Sequence, residues 1–377
     1  MKLLCVAAQL GGGGAERVWS HLIPGLAASG IDVRLLTLHD TGVNFERLVA
    51  KEVESDCLSV PNGVLGLKAL PAIRAEVRSF RPTVVMTLGT SAALSTALGL
   101  IGSHTPLAIN WHQAGLPLSP RAQIALRLVG LSPNLSVIAV SQRCLRDIAS
   151  SGLGSPPTFV VGNGVPDPLL SGSLLTPRPA SDTGGRRVIL CLARLRPEKR
   201  VDRFVEAINM ARRTNNAVEG LVVGDGEERG TLEALATKLK APVTFVGEVE
   251  DPTTLLAGCD AVCLTSDFEA APMAVLEAAA LGKPVIASAV GGIPDLLPPE
   301  CGILVDDLTP AGFASAISQL VADPSGMSTM GRMARLNWER NHTVDRMALD
   351  YVRVLEDIEA SASRSRLRSQ DTERVPS

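Results

Sequence analysis

Short apolar runs rich in Val, Ile and Leu alternate with helical patterns along the whole 377-residue chain. In the first half they predict strands near 2–8, 32–38, 83–88, 106–110, 136–140 and 158–161. In the second half the strands fall near 187–192, 219–223, 243–246, 261–264, 284–287 and 302–304. Near-continuous apolar strands separated by helices predict parallel sheets covered on both faces. Between the halves, residues 171–185 are rich in Ser, Pro, Thr and Gly without periodicity, which predicts a linker. The expected organisation is α/β: two Rossmann-like, doubly wound parallel-sheet domains over 1–170 and 186–342, facing across a cleft. A helix over 343–360 is expected to pack back towards the N-terminal domain. Residues 361–377, poor in apolar side chains and carrying Arg364, Arg366, Arg368 and Arg374, are expected to be disordered. Ligands in such sheets bind beyond the carboxyl ends of the strands.

Two stretches invite other readings. Met1 to Ala8 begins like a signal peptide, but the apolar core is short and Gly11 to Gly14 follow it. A buried strand feeding a glycine loop fits better. Thr83 to Ile109 contains no Asp, Glu, Lys or Arg, yet Gly89, Gly102, His104 and Pro106 divide it into strand, helix and strand.

Composition narrows the function classes. Hydrophobic residues make up 46% and charged ones 20%, as in a soluble protein with filled cores. A net charge of −3 and an aromatic content of 3% argue against a nucleic-acid surface. The seven Cys are scattered, and Cys5, Cys191 and Cys263 lie in strand-like runs, which predicts reduced core thiols.

The most informative segment runs from Ser266 to Ala278. Glu269 lies in a loop, Pro272 suits a first helical position, and Glu277 falls inside the helix that Gly282 stops. The backbone entering this helix at Ala271, Pro272, Met273 and Ala274 turns a positive dipole end towards the loop, which suits a phosphate. A carboxylate on each side could grip hydroxyls flanking a diphosphate. Two Glu at such spacing also occur in ordinary helices, so the flanks matter. Lys283 to Ser288 reads as a buried strand, and Gly291-Gly292 opens another loop.

Further motifs close other strands. Gly11-Gly12-Gly13-Gly14-Ala15-Glu16-Arg17 opens a helix but misses the dinucleotide fingerprint, because Glu16 stands at its last glycine position. Arg194 and Lys199 flank a turn in Ala193 to Asp202, where two cations could converge on one diphosphate. Arg196 and Arg200 read as solvated charges. Gly224-Asp225-Gly226 and Gly247 end two more strands. In the first half, Asn110-Trp111-His112-Gln113 ends the strand 106–110.

Loop, helix, strand and Gly-Gly loop in this order resemble the nucleotide-sugar end of family 4 of the glycosyltransferases, the large retaining family with the GT-B fold. The Gly-Gly-Ala-Glu-Arg stretch is similar to a loop common in that family. The segment around Arg194 matches its Gly-Arg-Leu and Lys-Gly elements, with Ala193 and Arg200 replacing the glycines. The resemblance covers Gly11 to about Val305 and is most specific from Val243 to Asp295. It implies an acceptor domain first and a donor domain second. Arg194, Lys199, Glu269 and His112 would be catalytic, with His112 against the donor sugar. Gly13, Gly14, Gly224, Gly247, Ala271, Pro272, Met273, Ala274 and Glu277 would bind the nucleotide-sugar, Gly247 beside the base. Ser141, Asn163 and Gly164 match residues at the family's interdomain crossing.

Neither an Asp-x-Asp triplet nor a Walker loop nor His-Glu-x-x-His occurs, so no metal and no cofactor beyond the UDP- or GDP-sugar donor is expected. The implied reaction is retaining, metal-independent transfer to a hydroxyl of a glycan or lipid-linked acceptor, in cell-surface polysaccharide or glycolipid biosynthesis. A nucleotide-sugar 2-epimerase of the same fold and a non-catalytic sugar-binding protein are the alternatives. The expected location is cytoplasmic. Lys68, Arg74, Arg78 and Arg81, with a partly apolar helix over 118–131 carrying Arg121 and Arg127, could rest on the inner face of a membrane. An ordinary solvated helix face competes with that reading.

Overall fold

The computed structural model describes residues 1–60, 67–113, 118–170, 185–215 and 217–373. The chain divides into two compact units, one of Met1–Gly164 with Val344–Ser377 and one of Val165–Thr343.

The first unit is built on β1 (Lys2–Gln9), β2 (Asp32–Asp40), β3 (Glu54–Cys57), β4 (Val84–Leu88), β5 (Leu107–Trp111), β6 (Leu135–Ala139) and β7 (Thr158–Val160). They form one sheet in the order β3-β2-β1-β4-β5-β6-β7, and every pairing is parallel. The second unit carries β8 (Arg187–Leu192), β9 (Val218–Val223), β10 (Val243–Gly247), β11 (Ala261–Leu264), β12 (Val285–Ser288) and β13 (Gly302–Val305). Their order is β10-β9-β8-β11-β12-β13, again parallel throughout. Both sheets are the doubly wound, Rossmann-like α/β type expected from the apolar runs.

The order of each sheet reverses once, between β1 and β4 and between β8 and β11. Loops leaving the carboxyl ends of these neighbours diverge to opposite faces and open a crevice between them. In the second unit the diverging loops are those after Leu192 and after Leu264.

The cores explain the apolar runs. Leu3 to Ala7, Val84 to Met86 and Val137 to Ala139 are fully buried, because helices cover both faces of the first sheet. Ile189, Cys191, Phe204, Val222, Cys263, Ile286 and Phe313 form the second core. All seven Cys are free thiols, and burial pushes those of Cys5, Cys191 and Cys263 up. Thr83 to Ile109 divides into β4, a helix over Thr90–Gly99 and the start of β5. Among the described residues, no helix is long and apolar enough to cross a membrane.

Four expectations are corrected. β3 was missed because Glu-Ser-Asp-Cys is a polar, half-exposed edge strand without an apolar run. Its pairing with β2 and the 2.6 Å Arg34–Glu54 ion pair hold it. Residues 165–170 belong to the second unit rather than the first. There Val165 donates its N–H to the His342 carbonyl, and Asp167 pairs with Arg335 at 2.7 Å. The last helix runs unbroken over Val344–Glu373, so residues 361–373 are helical where disorder was expected. No Gly or Pro interrupts it, and Glu, Ala, Arg, Leu and Gln among residues 359–373 are good helix formers. Finally, Pro272 caps the helix Met273–Ala280 instead of occupying its first position. Of the expected linker, all but Gly185 lies outside the described residues, as do residues 374–377.

Candidate active site

Two of the sequence motifs meet at the crevice in the second unit. Lys199 comes from the loop after β8 and Glu269 from the loop after β11, the two strands that flank the reversal. Lys199 Nζ donates to Glu269 Oε1 at 2.8 Å, and the Ser266 hydroxyl donates to the same oxygen at 2.7 Å. The side chains are 23% and 9% exposed, so a shielded ion pair stands at the mouth of the crevice. An ammonium has three N–H donors and a carboxylate about four lone-pair sites. Lys199 therefore keeps donors, and Glu269 keeps Oε2, for groups beyond their own contact.

A second set of charges fastens the two loops together. Asp267 accepts from Arg203 at 2.6 Å and Arg200 at 3.4 Å, and Arg200 also pairs with Asp202 at 2.9 Å. These partners hold the Asp202 carboxyl below its ordinary range even though burial opposes them. Thr265 Oγ1 donates to the carbonyls of Lys199 and Arg200, and the Asp267 N–H donates to the Glu198 carbonyl. Arg200 is thus part of the latch and not the solvated charge expected. Arg194 is exposed at the start of the same loop, with no salt bridge among the described residues.

Two glycines are dictated by contact. Gly291 has φ +59°, and a Cβ there would run into the Glu269 carbonyl, which accepts from the Gly292 N–H at 3.0 Å. The Gly-Gly loop therefore supports the backbone that carries Glu269. Gly224 has φ +127°, its Cβ position filled by the Ala193 carbonyl, and its N–H reaches the Gly247 carbonyl at 2.8 Å. Gly224 and Gly247 thus bring the ends of β9 and β10 against the residue before Arg194.

Ala271, Met273 and Ala274 are buried at the start of the helix Met273–Ala280 beside Pro272. Glu277 sits one turn inside, half-buried. The Val275 N–H donates to the Pro272 carbonyl, which closes the first turn of the helix.

In the first unit, Gly13 and Gly14 open the helix Gly14–Ala28, and Glu16 Oε2 already accepts from the Gly13 N–H at 2.8 Å. The glycine loop is capped by its own carboxylate. His112 follows β5, with Nε2 at 2.8 Å from Asn110 Oδ1, and burial pushes its pKa down to about 3. Ser141 caps the helix Gln142–Ile148, Asn163 is buried, and the Gly164 N–H meets Met347 Sδ at 3.2 Å.

The structure therefore joins Lys199 with Glu269 and Gly224 with Gly247, and places His112 in a network of its own. Sequence reasoning missed Ser266, Asp267 and Arg203, although the first two lie inside the segment it singled out. It also missed Trp19 and Tyr351, and it named Asn110 only as part of the segment that carries His112. Tyr351 is the single Tyr of the chain, and nothing local marks it.

Two family models divide the chain: "Glycosyl transferase 4-like domain" matches residues 13–164 and "Glycosyl transferases group 1" residues 186–323. A GDP-mannose-dependent alpha-(1-6)-phosphatidylinositol monomannoside mannosyltransferase of Mycobacterium tuberculosis is 30% identical over 262 residues, covering 65% of this chain and 67% of that protein. The chain belongs to family 4 of the glycosyltransferases. A GDP-mannose-dependent monoacylated alpha-(1-6)-phosphatidylinositol monomannoside mannosyltransferase of Corynebacterium glutamicum is 29% identical over 250 residues. That match covers 60% of this glycosyltransferase family member and 63% of the relative, so the chain spans a little under two thirds of it. In fold, the family member is like Anabaena HepE in complex with UDP, with a TM-score of 0.81 at 22% identity over 95% of this chain and 100% of that one. It is also like the sucrose-phosphate synthase of Thermosynechococcus elongatus, with a TM-score of 0.79 at 19% identity over 96% and 100%. Both agree with the GT-B assignment.

Proposed function

We propose that this chain transfers a hexose from a UDP- or GDP-sugar to a hydroxyl of a lipid-linked acceptor in glycolipid or cell-surface polysaccharide biosynthesis, with retention and without a metal. The observation that carries the reading is the Lys199–Glu269 pair at the topological reversal of the second sheet. Expelling a nucleoside diphosphate builds negative charge on the leaving phosphate, and fixed cations stabilise it without reorganising. Arg194 offers a guanidinium fork and Lys199 a point charge, and the backbone of Ala271 to Ala274 adds a helix start for the phosphate. Glu269 orients the sugar hydroxyls, Glu277 binds the ribose, and Gly224 and Gly247 let the backbone approach the nucleotide. His112 serves the transferred sugar. The acceptor hydroxyl attacks from the face the diphosphate leaves, which retains configuration.

The similarity to GDP-mannose-dependent mannosyltransferases of phosphatidylinositol mannosides supports GDP-mannose as donor and a glycolipid as acceptor. Such an acceptor favours a cytoplasmic protein resting on the inner face of the membrane. Thermal shifts with GDP, UDP and ADP sugars, followed by transfer from radiolabelled GDP-mannose to a lipid extract in excess EDTA, test the reading. A donor-dependent shift with label in the lipid phase is expected. Release of an epimer without acceptor would favour the 2-epimerase, and no shift with any nucleotide sugar would overturn the proposal.

A further inference from the structure

Two side chains distant in sequence, Trp19 and Tyr351, converge on Asn110, two residues before His112. The amide is 2% exposed, and the side chains of Trp19 and Tyr351 are fully buried. Trp19 Nε1 donates to Asn110 Oδ1 at 2.6 Å. Asn110 Nδ2 donates to the Tyr351 hydroxyl at 2.7 Å and to the Ile138 carbonyl at 3.3 Å. All belong to the first unit, with Tyr351 contributed by the helix Val344–Glu373.

This arrangement leaves the amide one orientation. An indole N–H can only donate, so the atom facing Trp19 is the oxygen. A peptide carbonyl can only accept, so the atom facing Ile138 is the nitrogen. His112 Nε2 meets the same oxygen, and the contact is a hydrogen bond only if Nε2 carries the proton. The neutral ring then has its lone pair on Nδ1. Asn110, with both ends fixed, sets the tautomer of the histidine and the plane of its ring.

Resting on the reading of His112 as a group beside the transferred sugar, we propose that Trp19, Asn110 and Tyr351 are positioning residues. They hold His112 as its Nε2–H tautomer, so that it presents an acceptor at Nδ1 to a sugar hydroxyl. The last helix thereby supports the reaction through Tyr351, whose hydroxyl touches no substrate and acts only through Asn110.

The test uses the full chain labelled with ¹⁵N-histidine. Long-range ¹H–¹⁵N spectra near neutral pH report the tautomer, and the His112 signal is the one lost in His112→Gln. The expected wild-type form is Nε2–H. Trp19→Phe and Tyr351→Phe keep the ring shapes and remove one hydrogen bond each. Trp19→Phe should convert His112 to a mixture of tautomers and lower kcat about fivefold, and Tyr351→Phe should shift both in the same direction by less, since Trp19 and the Ile138 carbonyl still hold the amide; affinity for the bare nucleoside diphosphate is unchanged in both. An Nδ1–H ring in the wild type overturns the proposal. So does a fall in kcat with the tautomer unaltered, which would mark a merely structural role. If the tautomer responds as expected but His112→Gln transfers sugar at the wild-type rate, the sugar-facing role of His112 fails and the positioning role falls with it. In that case the donor-binding results for the second unit stand unaffected.

Discussion

On the proposed reading Lys199 both holds the leaving diphosphate and partners Glu269, and a single substitution separates the two only by comparison with Arg194. Arg194→Ala and Lys199→Ala should each lower turnover 10²-fold or more, roughly the loss of one preorganised charge contact. Lys199→Ala should also lower the melting temperature, because it leaves the Glu269 carboxylate, 9% exposed, with Ser266 in place of a cation. Arg194 is exposed, so Arg194→Ala should melt like the wild type. Steady-state rates beside thermal melts check both, and wild-type rates in either variant would remove the diphosphate clamp. Glu277→Gln should weaken binding of nucleoside diphosphate and of intact donor alike. Glu269→Gln should leave nucleotide affinity nearly unchanged and cut turnover, because sugar contacts orient the reacting carbon. Calorimetry with nucleotide alone distinguishes them, and equal loss in both variants would refute the division. The histidines give a third expectation. Burial pushes the pKa of His112 down to about 3, and burial with Arg17, Lys51 and Arg47 pushes that of His21 down to about 4. Below about 6.5 the unfolded chain binds protons that the folded one refuses, so stability falls with pH through that window. Between pH 6.5 and 5 the loss is at most about 2 kcal/mol for each histidine. Asp167 and Asp202, whose carboxyls are held low by Arg335 and Arg200, lose their contribution only at more acid pH. Denaturant midpoints at pH 7.5 and 5 should show a smaller drop in His21→Gln than in the wild type.

At the scale of elements, two helices of the first unit decide the membrane question. Both the helix Leu70–Phe80 and the helix Pro120–Val129 pack against the helix Thr90–Gly99. Arg74, Arg78 and Arg81 line a 540 Å³ pocket with Ser103 and Thr105. Ile101 in its lining is 70% exposed, and Leu131, just after the helix Pro120–Val129, 79%. Exposed arginines interleaved with exposed aliphatic side chains suit an anionic lipid surface, whose attraction salt weakens. The chain should therefore pellet with anionic vesicles at low salt and be released at high salt. Absence of salt-sensitive pelleting would leave these helices as ordinary solvated faces. The apolar strands were legible because parallel strands are buried on both faces and their sequence says so. β3 was not, because an edge strand is defined by its partner's register.

For the molecule as a whole, the sequence by itself determined two doubly wound parallel sheets, the strands near their centres and the loops that carry Arg194, Lys199, Glu269 and Glu277. Those features are local: apolar runs, helix stops and turn residues act over a few positions. Pairings across long separations were decided only by tertiary structure. Lys199 and Glu269 are 70 residues apart and meet because β8 and β11 lie side by side where the strand order reverses. Asn110 and Tyr351 are 241 residues apart and meet because the last helix returns to the first unit. The Arg200–Asp267 latch has the same origin: a charge reads as solvated until the fold brings its partner to it. Burial then gives these contacts their chemistry, since a carboxylate, an amide or an imidazole removed from water must be matched by a specific partner.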